Sequence, residues 1–365
     1  MGDGWFTVRL KLIAATAVAA TLIGTAGFAV ADPSIRPVMP LKMQTTFNPN
    51  LPGAGEGVRQ FAKSLKHMSG GELIIKMIEP GRIAPVGEAI DAIVEGNLEA
   101  AFTWSGYAAS KSKVFELFST VPFGPGPEEL VSWIAEGDGG KIHRAAYEKL
   151  GVVGIPCGVQ GPEGGGWFRG EFNSAAHFKG ARLRYTKLAA EVVQRMGATV
   201  IPLPAGEFFW HLQLGKVDGG EMSTPAMDLA LGFDKLGVNY HLPGWHQPSA
   251  LLDFIVRREK WDGFTPAQRA QIHTACRANI AFMLGRSPHL QAEALMKMRT
   301  AGVNVKTWSP ELLDAFQRQT DAVLKDLAAR DPEFAAAWAN QRQFIERGKD
   351  WRTISRVPIG PTAIE

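Results

Sequence analysis

Apolar positions change their period along this chain, and the changes mark out its elements. Leu41 to Phe47 reads as a strand ending in polar residues. Val58, Phe61, Ala62, Leu65 and Met68 then recur at helical spacing until Gly70-Gly71 stops them. Leu73 to Ile78 predicts a second strand, and Pro80-Gly81 a turn. Ile90, Ile93 and Val94 mark a helix closed by Gly96, and Leu98 to Trp104 predicts a third strand. The alternation returns further on. Ala181 to Tyr185 predicts a strand, followed by a helical stripe of Leu188, Val192, Val193 and Met196 that Gly197 ends. Thr199 to Leu203 follows as a strand, then a helix with Phe208, Phe209 and Leu212, then a strand from Val217 to Glu221. Strands alternating with helices predict open α/β sheets, and two such units predict two lobes with a ligand cleft at the carboxyl ends of the strands. Leu251 to Val256 is a further apolar strand. Long helical segments follow from Pro266 to about Arg299, from Pro310 to Ala329, and from Pro332.

The N-terminus reads as an export leader over residues 1–31. Arg9 and Lys11 precede an uncharged, Ala-rich apolar run, and Ala29-Val30-Ala31 offers a small-x-small cleavage site. An uncleaved anchor is the alternative, since the run sits at the short end of membrane-spanning length. Formal charge is +3, and removing Asp3, Arg9 and Lys11 takes one positive charge away. That balance gives no argument for nucleic acid. Two cysteines are present, Cys157 and Cys276. An exported chain can pair them, but their spacing does not say so, and they are expected as unpaired buried thiols.

Several stretches, taken together in order, resemble one family. Val86 to Gly96 resembles its helix ending "V-x-x-G". Lys111-Ser112 with Val121-Pro122-Phe123-Gly124 resembles "G-K-S…P-F-G", and Gly166-Trp167-Phe168-Arg169 resembles "G-G-W-F-R". Phe178 to Arg184 is similar to its "G-L-K-x-R" stretch. Gly206-Glu207 through Glu221 is similar to "G-G-E-x-x-x-x-L-x-x-G-x-V-D-A-x-E", and Tyr240 to Pro248 to "Y-Y-x-P-G-W-H-E-P". The family is that of the TRAP-transporter solute receptors, the DctP-like periplasmic binding proteins. The last two stretches point to its branch for 2-oxo acids and related monocarboxylates. The likeness runs from about Leu41 to about Trp351.

The resemblance implies an α/β two-lobed binding fold: residues 32–155 as lobe 1, 156–243 as lobe 2, and 244–365 returning to lobe 1 with long C-terminal helices packing across both. It implies a periplasmic receptor, not an enzyme, that delivers a small organic acid to TRAP membrane permease subunits. Some members dimerise through C-terminal helices, so a homodimer is also in view. Arg184 would clamp the substrate carboxylate, a task that suits the planar guanidinium fork. Gln160, Glu221 and the carbonyl of Met222 would hold a cation. Such oxygen ligation suits Na⁺ or Ca²⁺.

The chain departs from the family at three places. Met222 replaces an aromatic wall with a flexible thioether, which admits a larger or aromatic carboxylate. Pro162-Glu163-Gly164 reads as an insertion that could move Gln160. Gln247 replaces a Glu, which removes a charge near the cleft. Other candidates carry two readings. Tyr107 donates its hydroxyl to the ligand or packs; Phe47 forms an apolar wall or core. Glu221 is a buried ligand carboxylate or a surface acid, and the flanking Gly219-Gly220 favours burial by allowing close backbone approach. Gln160 belongs to the ligand site or to a loop. Trp210 and Trp245 read as core or lobe-interface aromatics.

Rival chemistries find weaker support. Glu207, His211, His241 and His246 allow a zinc site and hence an exported metal-dependent hydrolase, but HExxH is absent and structural histidines fit better. Gly137 to Ile142 lacks the spacing of a phosphate loop and reads as a turn before a helix.

Overall fold

The computed structural model describes residues 38–355; the expected leader lies outside the described residues. The first sheet is assembled from β1 (Met39–Thr45), β2 (Leu73–Ile78), β3 (Ala100–Trp104), β4 (Val152–Gln160) and β10 (Ala250–Arg257), in the order β2-β1-β3-β10-β4. Strands β1, β2 and β3 run parallel, while β10 is antiparallel to both β3 and β4. Between them come α1 (Ala54–Met68), α2 (Ala89–Val94), α3 (Pro127–Glu136) and α4 (Gly139–Lys149), the last preceded by the turn expected at Gly137.

Strand periodicity explains how this sheet is covered on both sides. Leu252, Phe254 and Val256 of β10 face a core shared with Val58, Phe61 and Ile272, while Leu251 and Ile255 face Ile93, Trp133 and Tyr147. Alternate side chains therefore enter opposite helix layers, and the strand reads as continuously apolar.

The second sheet contains β5 (Gly166–Phe168), β6 (Arg182–Arg184), β7 (Thr199–Val200), β8 (Gly219–Gly220), β9 (Asn239–Leu242) and β11 (Val305–Thr307), in the order β11-β9-β5-β8-β6-β7. Its helices are α5 (Lys187–Arg195), α6 (Ala205–Gln213) and α7 (Pro225–Ala230). Trp167, Phe208, Phe233 and Tyr240 fill its own core. The predicted strands here are shorter than expected, with 217–221 pairing only over Gly219 and Gly220. The expected lobe boundary at 155/156 falls inside β4, which stays in the first sheet to Gln160, and β11 joins the second sheet.

The C-terminal helices follow α8 (Arg258–Asp262). They are α9 (Pro266–Thr300), α10 (Pro310–Arg330), α11 (Pro332–Arg347) and α12 (Lys349–Ile354). Phe316, Val323 and Phe334 join one core with Phe115 and Trp133 from the first lobe and Leu183 and Val192 from the second, so these helices do pack across both.

Two expectations are corrected. Cys157 and Cys276 form a disulfide, because α9 packs along β4 and brings their Cα atoms to 4.1 Å despite a sequence separation of 119. Trp210 is not core: it lies on the outer face of α6, 60% exposed, whereas Trp245 is buried and stacks on Phe316 at 4.2 Å. Among the described residues no helix is long and apolar enough to cross a membrane.

Candidate functional site

Gln160 ends β4, Arg184 ends β6, and Glu221 directly follows β8, so three expected residues stand at carboxyl ends of strands. The backbones of β6 and β8 approach closely. A Cβ on Gly220 would lie 2.3 Å from the Arg184 carbonyl oxygen, which explains the Gly219-Gly220 pair before Glu221. Glu221 N–H donates to that same carbonyl at 3.1 Å.

Arg184 Nη1 lies 2.7 Å from Glu221 Oε1 and donates to the Glu221 carbonyl at 2.8 Å. Its Nε is buried and has no hydrogen-bond partner among the described residues. Thr186 Oγ1 donates to Glu221 Oε1 at 3.1 Å, and the Phe208 ring lies 5.9 Å from the guanidinium carbon. Glu221 is 4% exposed, which decides for the buried carboxylate over the surface acid.

Gln160 is also buried, and Glu163 holds it. Gln160 Nε2 donates to Glu163 Oε1 at 2.9 Å and to Ser223 Oγ at 3.2 Å. The inserted stretch is tied down by its backbone: Glu163 N–H donates to the Gln247 carbonyl, Gly244 N–H to the Glu163 carbonyl, and Gly164 N–H to the Ser223 carbonyl. Glu163 Oε2 then faces His246 Nε2 at 3.2 Å. One donor atom each from Glu163, Glu221 and His246 lies within 4.8 Å of the others. The 162–164 stretch thus places a carboxyl group beside Gln160 and Glu221.

Burial pushes the Glu163 carboxyl well above the usual range, and the neighbouring Glu221 charge pushes the same way against Arg184. Burial also holds His246 down to about 4, with Glu221 opposing and Arg184 assisting. The imidazole is therefore neutral at pH 7.

The other expected residues take different positions. Tyr107 sits in a 3₁₀ turn after β3, its ring edge-on to Trp104. Burial raises its hydroxyl, with the charge of Arg184 opposing and that of Glu221 assisting. Phe47 packs against the first-sheet core. Gln247 is buried and meets the cluster through its carbonyl. The Met222 side chain packs in the second-lobe core, and the carbonyl that joins the arginine is that of Glu221. His211 is half-buried and bonded to its own helix, and His241 stacks on Trp308 at 4.3 Å, so these residues do not gather into a zinc site, in line with the preference for structural histidines. Reasoning from sequence noted the insertion but missed Glu163 as a donor, together with Ser223 and Thr186. The only available signal was an acid inside a Pro/Gly-framed insertion next to a site glutamine.

Two α/β sheets with a buried guanidinium and carboxylates at their strand ends, bridged by C-terminal helices, define a two-lobed solute receptor. The chain belongs to the bacterial extracellular solute-binding protein family 7 (DctP), whose family model matches residues 46–331. It is 27% identical over 352 residues to a monocarboxylate 2-oxoacid-binding periplasmic protein of Nostoc sp., covering 96% of this chain and 95% of that one. A TRAP transporter solute-binding protein from Bordetella bronchiseptica, crystallised as a mixed-occupancy dimer with calcium and picolinate, superposes with a TM-score of 0.83. Identity is 26%, covering 88% of this chain and 96% of that one. Another from Pseudoalteromonas atlantica, with bound sodium and pyruvate, gives a TM-score of 0.81 at 26% identity, covering 86% and 96%. The family is one of receptors, not enzymes, which sets the hydrolase reading aside.

Proposed function

We propose that this protein is the periplasmic receptor of a TRAP transporter and captures a small 2-oxo or 2-hydroxy monocarboxylate with Arg184. The observation that carries this reading is the unpartnered, buried Arg184 Nε. Every recorded polar contact of that guanidinium uses Nη1, directed at Glu221, so the Nε–Nη2 edge remains for a carboxylate to take with two parallel hydrogen bonds. Tyr107 supplies a hydroxyl from the first lobe, and Phe47 an apolar surface. The relatives with pyruvate, 2-oxoacids or picolinate support a small planar acid.

Gln160 and Glu221, with backbone carbonyl oxygen, fit a bound cation, as in the relatives with calcium or sodium. Such an ion would supply a positive charge that stabilises the bound acid's carboxylate. A larger or aromatic carboxylate is the second reading, favoured by picolinate in the Bordetella relative.

Thermal unfolding against a panel of 2-oxo, 2-hydroxy, aromatic and dicarboxylic acids tests both readings. A ligand at 100 times its Kd adds about 2.7 kcal/mol. Arg184→Ala is expected to weaken the selected acid by about 2–5 kcal/mol, roughly 30- to 4000-fold. Wild-type affinity in that variant would remove Arg184 from the role.

A further inference from the structure

We infer that the site takes a first-row divalent metal ion through His246 Nε2 and the carboxylates of Glu163 and Glu221. This deepens the cation reading above by naming two ligands and a metal class. The donor atoms come from three separate parts of the chain: the insertion after β4, the residue after β8, and the turn before β10. They converge within 4.8 Å. All three residues are at least nine-tenths buried, at 6%, 4% and 2% exposure.

The pairing of the polar groups points to an ion. Two buried carboxyl groups face one guanidinium, and Arg184 directs its contacts at Glu221. Glu163 is left with an amide, a hydroxyl and an imidazole as its recorded side-chain partners. A buried carboxyl group without a charged partner is satisfied by a proton or by a cation, and an ion on the three converging donors supplies the cation. His246 supplies the nitrogen donor, an imidazole being the side chain that metal sites use most often.

Donor chemistry then sets the class. Oxygen from Gln160 and Glu221 alone suits Na⁺ or Ca²⁺. One nitrogen and a second carboxylate move the preference towards Mn²⁺, Co²⁺ or Zn²⁺. The neutral Gln160 amide, held by Glu163 and Ser223, adds no charge that would oppose this.

The test uses the whole receptor, stripped with a chelator and with no organic acid present. Calorimetric titration with Zn²⁺, Mn²⁺, Ca²⁺ and Na⁺ should give affinity in the order Zn²⁺, Mn²⁺, Ca²⁺, with Na⁺ weakest. Glu163→Gln and His246→Gln should each weaken Zn²⁺ by at least about tenfold, the smaller end of the loss seen even for outer-shell partners. Pulsed electron paramagnetic resonance of the Mn²⁺ form should show nitrogen modulation from an imidazole, absent in His246→Gln.

The wild-type affinity order and the nitrogen signal need no variant, so a misfolded substitution does not rescue the idea. Preference for Ca²⁺ or Na⁺, with both variants unaffected, would overturn it and leave an oxygen-only ion on Gln160 and Glu221. Absence of metal binding in a protein that still binds its acid would overturn it as well. Failure of every acid to bind, with the metal order as expected, would instead strike the proposed function and leave this inference standing.

Discussion

His241 shows how a single side chain couples this fold to pH. It is buried against Trp308, and burial, with help from Lys306, holds its pKa down to about 4 while Glu171 pulls the other way. In the unfolded chain the same group titrates near its ordinary 6.5. Between these values the unfolded state binds a proton that the folded state refuses, so stability falls as pH drops from 6.5 towards 4. The loss amounts to roughly 3 kcal/mol at most. Urea unfolding of wild type and His241→Gln at pH 7.5 and 4.5 separates this from the lost Trp308 stacking, which shifts both curves alike. Wild type should lose about 2–3 kcal/mol more than the variant on acidification; parallel losses would show that His241 is not the sensor. Residues of this kind were hard to read in the sequence, because burial and partners decide their behaviour. Glu221 was legible, since Gly219-Gly220 announced a close backbone approach. Glu163 was not: its carboxylate is aimed by a turn at 244–247 that lies some eighty positions downstream. Trp210 misled because aromatic residues are usually buried, and here α6 turns it outward.

Among the elements, α9 does most to fix the first lobe. Its Asn279 Nδ2 donates to the Cys157 carbonyl at 2.6 Å, and Met283 reaches the backbones of Gly57 and Gly158. The Cys157–Cys276 disulfide joins it to β4 across a loop of 119 positions. A closure of that length restricts the unfolded chain strongly, so Cys157→Ala with Cys276→Ala should lower unfolding free energy by about 2–4 kcal/mol. Denaturant unfolding of the double variant, compared with the oxidised parent, measures it. An unchanged midpoint would mean that packing of α9 alone sets the stability. The helix itself was plain in the sequence. Thr265-Pro266, Ser309-Pro310 and Asp331-Pro332 each place a capping oxygen before a proline that suits the first turn, and all three caps form. The disulfide was not legible, because a pairing across 119 positions is a property of tertiary packing. The shortened β6, β7 and β8 went unseen for a related reason. Local propensity marks where a strand can begin, while the partner strand decides how far it pairs.

Across the whole molecule, the site and the lobe connections are the same piece of structure. The chain leaves the first sheet after Gln160 and returns to it before Ala250. These two crossings lie side by side, with Glu163 N–H bonded to the Gln247 carbonyl and Gly244 N–H to the Glu163 carbonyl. They carry Glu163, His246 and Gln247, whereas Arg184 and Glu221 belong to the second lobe and Tyr107 to the first. Arg184 is only 6% exposed, so if it clamps the acid, the site has to open to admit it. If that opening is a rotation about the paired crossings, Glu163 and His246 stay near the axis, where their spacing changes least. The receptor should therefore contract when it binds its acid. Small-angle X-ray scattering of the stripped protein should give a larger radius of gyration than the same protein saturated with the acid selected by the melting panel. Arg184→Ala, given that acid at the same concentration, should stay at the larger value. A radius that does not respond in wild type, despite measured binding, would mean that the acid enters without lobe rotation and that the crossings are struts rather than hinges.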